Sequence, residues 1–309
     1  MPFLNRLVAR CGGLAVVLSL TLSSPVATAP AVAADGAYAR TQYPIVLIHG
    51  LMGFSDIAGL DYFYRVAGDL RSHGATVLVA SLSAINDNDV RGEQLLKQLQ
   101  QWQAAYGYRK FNLLGHSQGG TTARYVAGVA PSLVASVTSI SAPHDLSGPG
   151  GQGGPLQWLT QSQSIANFLG STIGWVSGHA DLPQDAAALT YWATHTSEFN
   201  DRFPAGRPTT YCGQGAERVG GIYYYSVAGN KPKTNVFDLS DLAMTVDPAV
   251  PGDGLVSVCA SHWGKVLRDD YPWNHLDEMN HLFGLTDWSA PSPLAFYRAQ
   301  ANRLKLLGL

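Results

Sequence analysis

The chain has 309 residues with a formal net charge of −2, and only 14% of them are Asp, Glu, Lys or Arg. That length fits one large domain, and so little charge leaves no electrostatic footprint for nucleic acid or for an anionic membrane surface. Glycine is abundant, at 33 residues, but it is spread among apolar runs, as in a loop-rich globular fold and unlike a low-complexity chain.

The first segment carries Arg6 and Arg10, then an uncharged stretch from Gly12 to Leu22, then Ala31-Val32-Ala33-Ala34 before Asp35. A positive start, a short apolar run and an A-x-A-like site predict a cleavable secretory signal over residues 1–34, and the run is too short to span a bilayer comfortably. Cys11 precedes the apolar run and would leave with the signal. Cys212 and Cys259 remain. In an exported chain two cysteines most simply form one disulfide, two isolated buried thiols being the alternative. No second long apolar run follows, so the mature chain from 35 to 309 reads as soluble.

Along the mature chain, Tyr43-Pro44-Ile45-Val46-Leu47-Ile48, closed by His49-Gly50, predicts a strand buried on both faces of a parallel sheet. Thr76 to Ser81 predicts another. Between Asp89 and Tyr106, Val90, Leu95, Leu96, Leu99 and Trp102 recur at helical spacing, with Arg91, Glu93, Lys97 and Gln100 on the opposite side. Lys110 to Leu114 reads as a strand, Gly119 to Ala130 as a helix stopped near Pro131, and Leu133 to Ile140 as a strand again. This alternation calls for an α/β fold with a mostly parallel sheet and right-handed crossovers. After Ala142-Pro143-His144 it lapses into Gly148-Pro149-Gly150-Gly151-Gln152-Gly153-Gly154-Pro155 and an apolar-rich segment from Leu156 to Val176, uncharged throughout. Residues of about 146–180 therefore read as an insertion, either a glycine-hinged amphipathic lid over an apolar site or an ordinary packed helix.

The chemistry is announced by Gly115-His116-Ser117-Gln118-Gly119, a G-x-S-x-G between a predicted strand and a predicted helix. A sharp strand-to-helix turn lifts a serine hydroxyl above the sheet edge, and the flanking glycines permit the turn. Serine is a weak nucleophile unless a base takes its proton and a third group orients the base. In the chain order Ser, acid, His, Asp253 in the turn Val250-Pro251-Gly252-Asp253-Gly254 and His275 after the predicted strand Lys265 to Arg268 are the favoured partners. His262 and His281 are the alternatives for the base. The oxyanion formed on acyl transfer needs backbone N–H donors, one after the nucleophile and one from an early loop, which Gln118 and Leu51 would supply.

Five blocks in this order, from Tyr43 to Leu51, Arg91 to Leu96, Gly115 to Gly120, Asp253 to Val256 and Asn274 to Glu278, closely resemble the secreted true lipases of Pseudomonas and Burkholderia. The resemblance covers nearly all of the mature chain, through Ala301-Asn302-Arg303-Leu304-Lys305. It implies an α/β-hydrolase fold, with one catalytic domain over 35–309. It also implies a secreted, monomeric triacylglycerol lipase that works through an acyl-enzyme on Ser117, with His275 as base and Asp253 as orienting acid. The oxyanion donors would be the amides of Leu51 and Gln118, and a disulfide would join Cys212 to Cys259. A structural calcium ion would be held by the side chains of Asp238 and Asp277 and the carbonyls of His281 and Leu285, hard oxygen ligands that suit it. Asp241 is the alternative to Asp238, because the segment from 238 to 253 does not align residue by residue. A membrane-anchored foldase is the implied partner, and no redox cofactor is implied. The rival reading is a carboxylesterase or polyester depolymerase with the same triad.

Overall fold

The computed structural model describes residues 36–149, 162–281 and 283–309. The predicted signal segment at 1–34 and residues 150–161 of the predicted insertion, with Leu156 and Leu159, lie outside the described residues. Among those described, strands β1 (Ile45–Ile48), β4 (Val77–Val79), β5 (Phe111–His116), β6 (Val134–Ile140), β7 (Arg218–Val219), β8 (Ile222–Gly229) and β9 (Lys265–Tyr271) form one sheet. Its order is β4-β1-β5-β6-β8, with β9 parallel and β7 antiparallel along the far side of β8. A separate two-stranded hairpin, β2 (Asp56–Ile57) and β3 (Leu60–Asp61), follows β1.

The apolar runs read as doubly buried strands are so. All four residues of β1 and all six of β5 are buried, because helices cover both faces. On one face α1 (Val66–Ser72) and the C-terminal helix α7 (Pro293–Leu306) bring Val66, Leu70, Tyr297 and Leu304 against Leu47, Leu114 and Tyr225. On the other, α2 (Asn88–Tyr106) and α3 (Gln118–Val129) pack Leu95, Leu99 and Val126 against Val46, Ile48 and Leu113. A smaller apolar cluster joins α4 (Gln163–Val176), α5 (Ala186–Thr194) and α6 (Thr196–Arg202) to Ile85 and Leu146, above the sheet's C-terminal edge.

The predicted boundaries shift for identifiable reasons. Helix α2 begins where the Asp87 carboxylate accepts the Val90 N–H at 2.8 Å and ends at Gly107, which takes a left-handed φ of 73°. The strand predicted over 76–81 stops at Val79 because the Ser81 backbone pairs with a side chain, its N–H and carbonyl both bonded to the Gln98 amide. Strand β5 runs two residues past Leu114, to His116, which carries the chain to the serine.

Helix α3 sits unusually close to β1. A Cβ on Gly119 would lie 2.1 Å from the Ile48 carbonyl oxygen, which backbone cannot yield without shifting. Replacing Gly119 by Ala should therefore destabilise the protein by about 1–3 kcal/mol and lower ester hydrolysis with it. Urea unfolding of the variant, read as a fall in midpoint at unchanged slope, measures the first effect.

Candidate active site

Ser117 stands at the junction of β5 and α3 with φ 53° and ψ −132°, outside the regions an L-residue ordinarily occupies. Strain of this kind persists only where the surroundings fix it. Here the Ser117 N–H is bonded to the Ile140 carbonyl of β6 at 2.8 Å, and the glycines on either side let α3 close on the strand. Gly50, after β1, completes the approach, since a Cβ there would meet the Ser117 Cβ at 2.6 Å.

The His275 ring donates its Nδ1–H to Asp253 Oδ2 at 2.7 Å. Asp253 is fully buried, and its other oxygen accepts the Leu255 and Val256 N–H groups, each at 2.8 Å, so the carboxylate is held from both sides. That bond leaves Nε2 as the basic nitrogen of a neutral ring. Ser117 and His275 line one cavity of about 360 Å³, whose other walls are mostly apolar: Leu51, Met52, Leu146, Leu189, Trp192 and Val256 among them. Leu51 and Gln118 line it too. Gln118 is the first residue of α3, so its N–H has no acceptor within the helix, and the Leu51 N–H meets none among the described residues.

The structure thus brings Ser117, Asp253, His275, Leu51 and Gln118 to one site. The alternative bases lie otherwise. His262 is bonded to Asp269 and to the Gly213 carbonyl, away from this cavity. His281 reaches the cavity wall, but its Nε2 bonds to the Asp61 carbonyl. Sequence reasoning missed Glu278, although it ends one of the motifs quoted above. It is fully buried 4.0 Å from His275 Nδ1 and 3.2 Å from His116 Nε2. Burial, then the charge of Asp253, raises its carboxyl well above the usual range, while burial and then His275 lower His116 well below its own. Their contact lies wholly within the protein interior, behind the base.

Of the residues assigned to calcium, Asp238 and Asp277 meet at Asn274, next to His275. Asp238 and Asp277 are buried, and Asn274 Nδ2 reaches Asp241 Oδ1 at 2.8 Å and Asp238 Oδ2 at 3.5 Å. Asp277 Oδ2 accepts the Asn274 N–H, whereas its Oδ1 is buried without a partner. Burial, with Asp238 and Asp241 nearby, raises the Asp277 carboxyl to about 7. An orphaned carboxylate oxygen among other acids is a donor set that fits a hard cation. The carbonyls assigned to His281 and Leu285 lie on the loop that follows Asp277. Among the described residues, the three side chains whose donor atoms approach within 4.8 Å of one another are instead His116, His275 and Glu278. Two of those are nitrogen ligands, ill suited to calcium.

Helix α4 is amphipathic in an inverted sense. Its small residues Ala166, Gly170 and Gly174 face inward, while Phe168 and Trp175 are 70% and 73% exposed, with Ile165 and Val176 beside them.

Residues 43–238 match the alpha/beta hydrolase fold family, and the chain belongs to it. Within that family it groups with bacterial triacylglycerol lipases. It is 46% identical to the triacylglycerol lipase of Vibrio cholerae over 282 residues, 88% of this chain and 90% of that one. It is 39% identical to that of Burkholderia plantarii over 92% of this chain and 91% of the relative, and 38% identical to that of Pseudomonas fragi over 87% and 98%. Among solved structures, the Staphylococcus hyicus lipase shares the fold with a TM-score of 0.53 at 17% identity, covering 86% of this chain and 96% of that one.

Cys212 and Cys259 are bonded to each other, 47 residues apart. Cys259 opens a short turn, Cys259–Ser261, in which the Ala260 carbonyl accepts the N–H groups of His144 and Asp145, next to the cavity-lining Pro143. Replacing both cysteines by serine should lower stability by up to about 4 kcal/mol, the loop entropy of a closure this long, as read from urea unfolding of the double variant against the oxidised parent.

Proposed function

We propose that this chain is a secreted triacylglycerol lipase that cleaves long- or medium-chain acylglycerols through Ser117, His275 and Asp253. The observation that carries the reading is the Asp253–His275 hydrogen bond opening onto the same apolar cavity as the strained Ser117. Ser117 Oγ attacks the ester carbonyl as His275 Nε2 takes its proton, and Asp253 holds the ring and balances the imidazolium. The Leu51 and Gln118 amides receive the oxyanion. His275 then returns the proton to the departing glyceride oxygen, leaving an acyl-enzyme that a water, activated by the same base, resolves.

A carboxylesterase or polyester depolymerase would use identical chemistry, and the exposed apolar side chains of α4 favour the lipase. An amphipathic helix presenting Phe168 and Trp175 to solvent suits a lid, within an insertion of about 146–180, that meets an oil surface. Similarity to lipases, together with the signal-like segment at 1–34, supports export through the periplasm, a foldase partner and a monomeric product. No helix among the described residues is long and apolar enough to cross a membrane.

The decisive experiment compares emulsified trioctanoin and triolein with soluble p-nitrophenyl butyrate. The parent should turn over the emulsions strongly, and Ser117→Ala should lose at least about 10³-fold in kcat on every substrate. A Phe168→Ser, Trp175→Ser variant should lose emulsion activity while keeping most of its activity on the soluble ester. Equal losses on both substrates would sink the lid, and turnover of the soluble ester alone would make the protein an esterase.

Asp238 and Asp277, with the carbonyls of His281 and Leu285, would hold one calcium ion, Asp241 being the alternative to Asp238. When bound, the ion supplies charge neutralisation for these acids and steadies the loop that carries His275. Chelation should lower the melting temperature, and added calcium should restore it. In Asp277→Asn both effects should vanish, which differential scanning calorimetry would register without any activity assay.

A further inference from the structure

Oxyanion donors and base must meet one substrate, so the loop after β1 and the loop carrying His275 need a fixed separation. Three hydrogen bonds run between them through side chains that the proposed mechanism does not use. The Gly50 N–H donates to Tyr62 Oη at 3.2 Å, Tyr62 Oη lies 2.7 Å from His116 Nδ1, and His116 Nε2 lies 2.9 Å from the His275 carbonyl oxygen.

The ends of this chain dictate where every proton sits. An amide N–H can only donate and a carbonyl can only accept, so the His275 carbonyl places the ring hydrogen on His116 Nε2. In a neutral imidazole Nδ1 is then an acceptor, and the Tyr62 hydroxyl donates to it while receiving the Gly50 N–H. The opposite tautomer would set the Nε2 lone pair against a carbonyl oxygen at 2.9 Å and strand the hydroxyl proton without an acceptor. Glu278 Oε2 lies near the same nitrogen without forming a hydrogen bond. Tyr62 and His116 are both buried, so water does not compete for these bonds.

We propose that Tyr62 and His116 are positioning residues, a one-directional hydrogen-bonded strut that sets the distance from the oxyanion loop to the His275 loop. His116 directly precedes Ser117, so the strut ties the nucleophile to both. The inference rests on the roles proposed for Leu51, Ser117 and His275.

Tyr62 also packs its ring against Phe54, Phe63 and His49. Tyr62→Phe keeps that packing and removes only the hydroxyl. Its kcat on p-nitrophenyl butyrate, per active site titrated with a phosphonate ester, should fall about 10–100-fold with KM within about twofold of the parent. His116→Phe should fall comparably. His116→Gln, whose amide can accept from Tyr62 and donate to the His275 carbonyl, should recover at least about fivefold over His116→Phe. The proposal is overturned if Tyr62→Phe stays within about twofold of the parent in kcat, if its loss is confined to KM, or if Gln is no better than Phe at 116. Failure of the underlying reading looks different, because the parent would then offer no titratable site or Ser117→Ala would keep its activity.

Discussion

The site depends on how tightly the backbone is compressed around Ser117. Helix α3 lies so close to β1 that Gly119 has room for no side chain, and Gly50 leaves none between the first loop and the serine itself. That compression holds Ser117 at a positive φ. It also brings the amide at the start of α3 and the amide after Gly50 to the same cavity. A looser contact would let the serine relax into ordinary backbone and separate the two donors, so sheet packing and chemistry are one constraint.

Around this rigid centre the protein places two polar arrangements of different kinds. The Asp253 carboxylate is held by two backbone amides and by His275, so its orientation depends on its own turn and not on flexible side chains. The acids at 238, 241 and 277 are crowded with one buried oxygen left unpaired, and the proposed calcium site rests on that feature. Both lie within a short stretch of chain leading to and from His275, which links the proposed ion to the base's loop without making it part of the reaction.

Much of this was legible in the sequence because the informative residues sit in short local patterns. Continuous aliphatic runs revealed β1, β5 and β6, and G-x-S-x-G between strand and helix picked out the serine that lines the cavity. The chain order Ser, Asp, His selected Asp253 and His275. Strand β8 was missed because its Ile-Tyr-Tyr-Tyr-Ser-Val run follows paired glycines in a loop-rich region and lacks an aliphatic pattern. The strand predicted over 76–81 was overextended because a distant glutamine, Gln98, takes the Ser81 backbone bonds. The Tyr62–His116–His275 connection was invisible for a stronger reason. Its partners are 54 and 159 residues apart, and nothing local to any of them signals the contact.

In the proposed reaction Ser117, His275 and the amides of Leu51 and Gln118 all act on one carbonyl. A crystal structure of the protein inactivated with an alkylphosphonate ester tests it most directly. Phosphorus should be bonded to Ser117 Oγ and a phosphonyl oxygen should lie about 2.7–3.1 Å from both amide nitrogens, with the alkyl chain in the cavity lined by Leu146, Leu189 and Val256. An adduct on another residue, or a phosphonyl oxygen turned to solvent away from both amides, would contradict it.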